Sequence, residues 1–167
     1  DTLIGGKGSD ILTARDGSPW ADQLYGGRGQ DFFLVTRAVG AAPTNVLLVD
    51  GGDGFDSLDI QYSSGDGAPI DLRGMTGGGE AAVSGLTIRG VETLRMQLGG
   101  ANDVVYLPDM EAHIEGGWGD DTILGGARRD RIDAGTFNPD VVPGGDRDLV
   151  MAGAYQDTLI GGAGDTL

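Results

Sequence analysis

The 167-residue chain has no cysteine and a single histidine, His113. Disulfide frameworks, zinc–thiolate sites and thiol nucleophiles are therefore excluded, and stability has to come from another source. Bases are scarce: 11 Lys and Arg stand against 26 Asp and Glu, a formal net charge of −15. Such a chain repels nucleic-acid phosphates and anionic membrane surfaces and attracts cations. No apolar run approaches the ~18 residues of a membrane-spanning helix, and no stretch reads as a signal peptide. Neither nucleic acid binding nor membrane insertion is expected. The G-x-S-x-G and H-E-x-x-H signatures are missing as well, so no catalytic residue and no enzymatic activity are expected. Paired carboxylates can hydrolyse glycosides at separations of ~5–10 Å, but the acids here recur with a regularity that another role explains.

Glycine, by contrast, is abundant: 33 residues, roughly three times its ordinary share. Acidic, glycine-rich composition is that of a disordered chain, yet 39% of the residues are hydrophobic and they fall at regular places. Order that depends on a neutralising cation reconciles the two. The chain does not begin with methionine; its first six residues, DTLIGG, recur from Asp157, and it stops mid-pattern at Leu167. It reads as a piece of a longer repetitive array.

The repeat emerges when each Asp followed two positions later by an apolar residue is aligned. Asp1/Leu3, Asp10/Leu12, Asp22/Leu24, Asp31/Phe33 and Asp56/Leu58 form one set. Asp103/Val105, Asp121/Ile123, Asp130/Ile132, Asp140/Val142, Asp148/Val150 and Asp157/Leu159 form another, with Ala112/Ile114 filling the one slot without an acid. From Asp103 the steps are 9, 9, 9, 10, 8 and 9 residues. A three-residue insertion around DGSPWA stretches one early step to 12. Each unit begins with a glycine turn, whose backbone angles only glycine adopts cheaply. It ends in a very short strand that turns one side chain inward. Such strands bury a core only by stacking, so the spacing predicts a right-handed parallel β-roll, two strands and two turns per 18 residues, with the apolar column inside.

Turns 18 residues apart then lie above one another. This register places Asp103, Asp121, Asp140 and Asp157 on one edge, and Asp130 and Asp148 on the other. Carboxylates one strand spacing apart, ~4.8 Å, repel strongly when dry, so a cation belongs between them. An all-oxygen cage of carboxylates and turn carbonyls suits Ca²⁺ better than Mg²⁺, and soft ligands for transition metals are absent. Several calcium ions are expected.

Gly5–Thr13, Gly26–Leu34, Gly51–Asp59 and Gly116–Leu124 match G-G-x-G-x-D-x-U-x in full, and GGARRDRI, GGDRDLV and AGAYQDTL keep the register in degraded form. The sequence resembles the RTX (repeats-in-toxin) family of calcium-binding β-rolls. The resemblance implies that calcium sits between stacked turns, held by Asp side chains and turn carbonyls. The residues so implied are Gly5, Lys7, Gly8 and Asp10; Asp22; Gly26, Arg28, Gly29 and Asp31; Gly51, Asp53, Gly54 and Asp56. In the second set they are Gly99, Ala101 and Asp103; Gly116, Trp118, Gly119 and Asp121; Gly125, Ala127 and Asp130; and Asp140, Asp148 and Asp157. The favoured gaps are Asp10/Asp31, Asp103/Asp121, Asp121/Asp140 and Asp130/Asp148. Arg128, Tyr155 and the turn at Asp146–Asp148 depart from the pattern.

Between Leu34 and Leu98 the nine-residue beat lapses apart from GGDGFDSLDI, and longer strands are predicted at Asn45–Asp50, Ser57–Tyr62, Ala68–Leu72, Ser84–Gly90 and Val91–Leu98. The expected organisation is one continuous solenoid: N-terminal repeats over 1–36, a wider section with hairpin insertions over 37–98, and C-terminal repeats over 99–167. His113 reads as a surface strand residue, Trp20 and Trp118 as turn residues packing over the edge, and Arg128–Arg131 as a solvated face offsetting nearby acid. The family resemblance implies a structural module of a secreted bacterial protein, extracellular or at the cell surface, exported unfolded through a type I secretion machinery. It also admits an accessory domain of a secreted protease, lipase or polysaccharide epimerase, or an adhesin module with a cell-surface or polysaccharide ligand.

Overall fold

The computed structural model describes residues 1–15, 22–37, 47–62, 70–73, 81–83, 86–135, 147–162 and 164–167. Among these it contains sixteen strands and no helix. In chain order they are β1 (Thr2–Lys7), β2 (Ile11–Arg15), β3 (Gln23–Gly29), β4 (Phe32–Arg37), β5 (Leu47–Gly54), β6 (Ser57–Tyr62), β7 (Ile70–Asp71) and β8 (Ala81–Val83). There follow β9 (Leu86–Arg89), β10 (Thr93–Gln97), β11 (Val104–Tyr106), β12 (Glu111–Glu115), β13 (Thr122–Leu124), β14 (Asp130–Asp133), β15 (Leu149–Met151) and β16 (Thr158–Ile160).

The strands form a parallel β-roll. One face is a seven-stranded sheet in the order β16-β14-β12-β10-β6-β4-β2, all parallel. Opposite it lie two sheets, β1-β3-β5-β9-β8 and β15-β13-β11-β7. The chain alternates between faces except from β7 to β9, three successive strands on the side opposite the seven-stranded sheet: β7 pairs with β11, β9 pairs with β5, and β8 folds back antiparallel on β9 as a hairpin. Val91–Met96 could pass for helix by propensity, but Thr93–Gln97 alternates buried and half-buried side chains as a strand does.

Inward residues stack in columns. Leu12, Phe33, Leu58, Leu94 and Ala112 follow one another on the seven-stranded face, and Ile70, Val105, Ile123 and Val150 on the other. All are buried. Removing each large one from water contributes about 1.5–3 kcal/mol, and the ladder bonds between rungs satisfy the backbone. Leu3 of the terminal rung remains 36% exposed because no further rung covers it. Val142, expected in the column, lies outside the described residues.

Candidate metal centre

The turns on each edge stack in register. Lys7 lies over Arg28 and Arg28 over Asp53, with Gly29 over Gly54. This closeness dictates glycine. Gly27 has φ +109°, and a Cβ there would run into the carbonyl oxygen of Gly6 in the neighbouring turn; at Gly29 it would meet that of Gly8. On the second edge Gly117 and Gly119 press in the same way on the carbonyls of Gly99 and Ala101, and Trp118 N–H donates to Gly99 O at 2.9 Å. Gly125 packs on the carbonyl of Ala152, and Ala127 N–H donates to Asp109 Oδ1 at 3.1 Å.

The acids are bonded from rung to rung by one repeated device. Asp10 N–H donates to Asp31 Oδ1 at 2.9 Å, Asp31 N–H to Asp56 Oδ1 at 2.8 Å, and Asp56 N–H to Glu92 Oε2 at 2.7 Å. On the second edge Asp103 donates to Asp121 Oδ1 and Asp121 to Asp148 Oδ1, both at 2.8 Å, and Asp148 to Asp165 Oδ1 at 3.1 Å. Further along the first edge Ala112 donates to Asp130 Oδ1 at 3.1 Å and Asp130 to Asp157 Oδ1 at 2.9 Å. The Asp1 nitrogen binds Asp22 Oδ1 at 2.8 Å. One oxygen of each accepting carboxylate is thus committed to the scaffold.

The other oxygen is the informative one. Oδ2 of Asp10, Asp31 and Asp56 is buried and has no hydrogen-bond partner. It faces the first glycine of its own turn: a Cβ on Gly5 would lie 2.6 Å from Asp10 Oδ2, and one on Gly51 2.7 Å from Asp56 Oδ2. Leaving a charged oxygen dry and unpaired is costly. Burial, with Asp31 and Glu92 adding repulsion, raises the Asp56 pKa. Burial likewise pushes Asp130 up to about 6, against hydrogen bonds from Gly126 and Ala112 that lower it. The donor set, carboxylate oxygens beside turn carbonyls, fits a hard cation such as Ca²⁺. Among the described residues no three acidic or histidine side chains converge, so backbone carbonyls would have to complete any cage.

The upper C-terminal register differs from the expected one. Asp121 stacks on Asp148, not on Asp140, and Asp130 on Asp157, not on Asp148. Asp157 therefore shares the edge of Asp130, and Asp148 that of Asp103 and Asp121. Asp140 lies outside the described residues. The coil from Asp121 to Asp148 takes 27 residues, and β13 pairs directly with β15 as β14 does with β16.

Two members of the ladders went unread in the sequence. Glu92 occupies an aspartate's place, signalled only by an acid two residues before Leu94. Asp165 closes the second edge within GAGDTL, where Leu149 pairs with Thr166. Asp120, one residue out of step, is exposed; its N–H donates to Asn102 Oδ1 at 3.0 Å and its Oδ1 accepts from Arg147 at 2.9 Å.

A roll of stacked glycine turns with two edges of buried carboxylates defines a cation-binding repeat protein. RTX calcium-binding nonapeptide repeats match the chain in four copies, over residues 1–33, 115–136 and 143–165. The chain is built on the RTX calcium-binding repeat. No curated protein and no solved structure matches it.

Proposed function

We propose that the chain is a non-catalytic module of a secreted protein whose folding is coupled to calcium. The unpartnered, buried Oδ2 atoms of Asp10, Asp31 and Asp56 carry this reading. Without a cation, aligned carboxylates within a strand spacing repel one another, and at a net charge of −15 the open chain relieves that repulsion. With calcium, charge is neutralised, the turns are fixed, and binding free energy becomes folding free energy. The gaps proposed to hold ions are Asp10/Asp31, Asp31/Asp56, Asp103/Asp121 and Asp121/Asp148, each closed by carbonyls of its glycine turns. Extracellular calcium modules bind at roughly 10⁻⁴–10⁻³ M, between cytosolic and external calcium, so a chain held unfolded inside the cell would fold on leaving it. RTX repeats are typical of secreted bacterial proteins, which supports export by a type I route. Circular dichroism during a calcium titration tests the proposal: β signal should develop cooperatively with calcium. Full β signal and unchanged thermal stability in chelator would refute it.

A further inference from the structure

The first edge of the roll is not straight. Nine residues separate Val49 from Leu58 across it, but six separate Ile88 from Leu94 and seven separate Val105 from Ala112. The edge therefore steps back beyond Asp56. With it the carboxylate column shifts two positions along the strands, since Asp130 lies in line with Leu94 and Ala112. A trough of about 500 Å³ occupies the step. It extends from Phe55 to Tyr155, four rungs or ~19 Å, past buried Met110 and beside Arg128 and Arg129. Through Thr93, Glu111 and Arg129 it joins a hollow of about 430 Å³ on the seven-stranded sheet, lined by Phe32, Asp59, Arg95, His113 and Arg131.

Three features of this surface are out of keeping with the rest of the molecule. Four of the 11 basic side chains and the single histidine gather here, in a chain of net charge −15. Among the described residues no ion pair holds Arg128, Arg129 or Arg131. Phe32, Phe55 and Tyr155 are exposed aromatics along the same surface, and Tyr155 keeps φ +76° in the turn position that Gly8, Gly29, Gly54 and Gly119 fill in their own repeats. A side chain retained at that backbone cost is characteristic of a working surface. Asp59 is 6% exposed, and its Oδ1 lacks a partner that a donor entering the hollow would supply.

We propose that this surface binds an acidic polysaccharide, a chain of uronic-acid residues. Guanidinium groups pair with sugar carboxylates, and exposed rings offer flat apolar faces to sugar rings. Glu92, Asp109 and Glu111 also line the trough. They accept hydrogen bonds from the hydroxyls that every sugar residue of such a chain carries, whereas the phosphates of a nucleic acid supply no donors. The site requires the folded roll but not any particular set of calcium ligands.

The test is titration of the calcium-loaded protein, with circular dichroism confirming the folded state in the same sample. The probes are hexasaccharides of galacturonate, mannuronate and a glucuronate-containing repeat, a neutral glucose hexamer and a single-stranded DNA oligonucleotide. At least one uronate should bind, and more weakly at higher salt, with the neutral hexamer and the DNA much weaker. Arg129→Ala with Arg131→Ala should weaken that binding by at least about tenfold, and Phe55→Ala several-fold, with the calcium midpoint of folding unchanged. Folded protein that binds no uronate, binds DNA equally well, or binds uronate undiminished in the variants overturns the site and leaves the calcium reading standing. Loss of the β signal under the same conditions counts against the calcium reading instead.

Discussion

Asp31 donates its main-chain N–H to Oδ1 of Asp56 at 2.8 Å, while its own Oδ1 accepts the N–H of Asp10 at 2.9 Å. Asp31 is thus a structural link between three rungs before any ion is considered. Its Oδ2 is left over. Asp31→Asn separates the two roles, because the amide oxygen still accepts from Asp10 while the second oxygen and the charge are lost. The variant is expected to need several-fold more calcium to fold, whereas Asp31→Ala, which breaks the link as well, should also lose about 1–3 kcal/mol of stability at saturating calcium. Chemical denaturation at fixed high calcium measures the difference.

Gly6 and Gly27 share φ +109°, but only at Gly27 would a Cβ strike a neighbouring turn. Gly6→Ala should cost about 1–2 kcal/mol, the strain of a left-handed alanine. Gly27→Ala should cost clearly more, since the Gly6 carbonyl must move. Equal losses in calcium-saturated denaturation would show that the stack tolerates wider spacing.

Tyr155 sits at φ +76°. Tyr155→Gly removes that strain and should stabilise the calcium-loaded protein by about 1 kcal/mol, a rise in Tm of a few degrees that calorimetry would detect. The same change removes an aromatic from the trough, so stability and uronate binding should move in opposite directions.

The buried acids set a pH dependence in the absence of calcium. Asp130 is raised to about 6 in the fold, from 3.8, and Asp56 is raised as well. A raised carboxylate takes up a proton on folding, so the calcium-free fold gains stability as pH falls from about 6 towards 3.8 and loses it as pH rises again. In calcium-free buffer, β signal should therefore grow between pH 7 and 4. Calcium binding to the folded protein should weaken over the same range, because the ion has to displace the protons. Flat circular dichroism across that range would contradict the burial of these carboxylates.

Much of this was legible because the repeat writes its structure locally. Each G-G-x-G-x-D-x-U unit specifies a turn, an acid and one inward side chain, and stacking follows from the need to bury that side chain. Leu12, Leu24, Phe33, Ile123 and Ile132 were placed in this way, as was the stacking of Asp10 on Asp31 and of Asp103 on Asp121. What failed was counting across irregular coils. A nine-residue displacement moves a unit to the opposite edge, so reading the Asp140 segment as a rung exchanged the partners of Asp148 and Asp157. Glu92 escaped because no glycine pair announces its short turn. The two-residue shift that carries Asp130 onto the column of Leu94 is a property of paired strands, and no single unit encodes it.

The adjacent pair Asp120 and Asp121 tests the central claim most directly. Each loses one charge on substitution by Asn, and each keeps an oxygen for its ladder bond, to Arg147 and Asp103 N–H respectively. Only Asp121 is buried within the turn stack. In calcium titrations followed by circular dichroism, Asp121→Asn should raise the folding midpoint several-fold, and Asp120→Asn should leave it nearly unchanged. Equal midpoints in the two variants would contradict the assignment of calcium to the buried carboxylates.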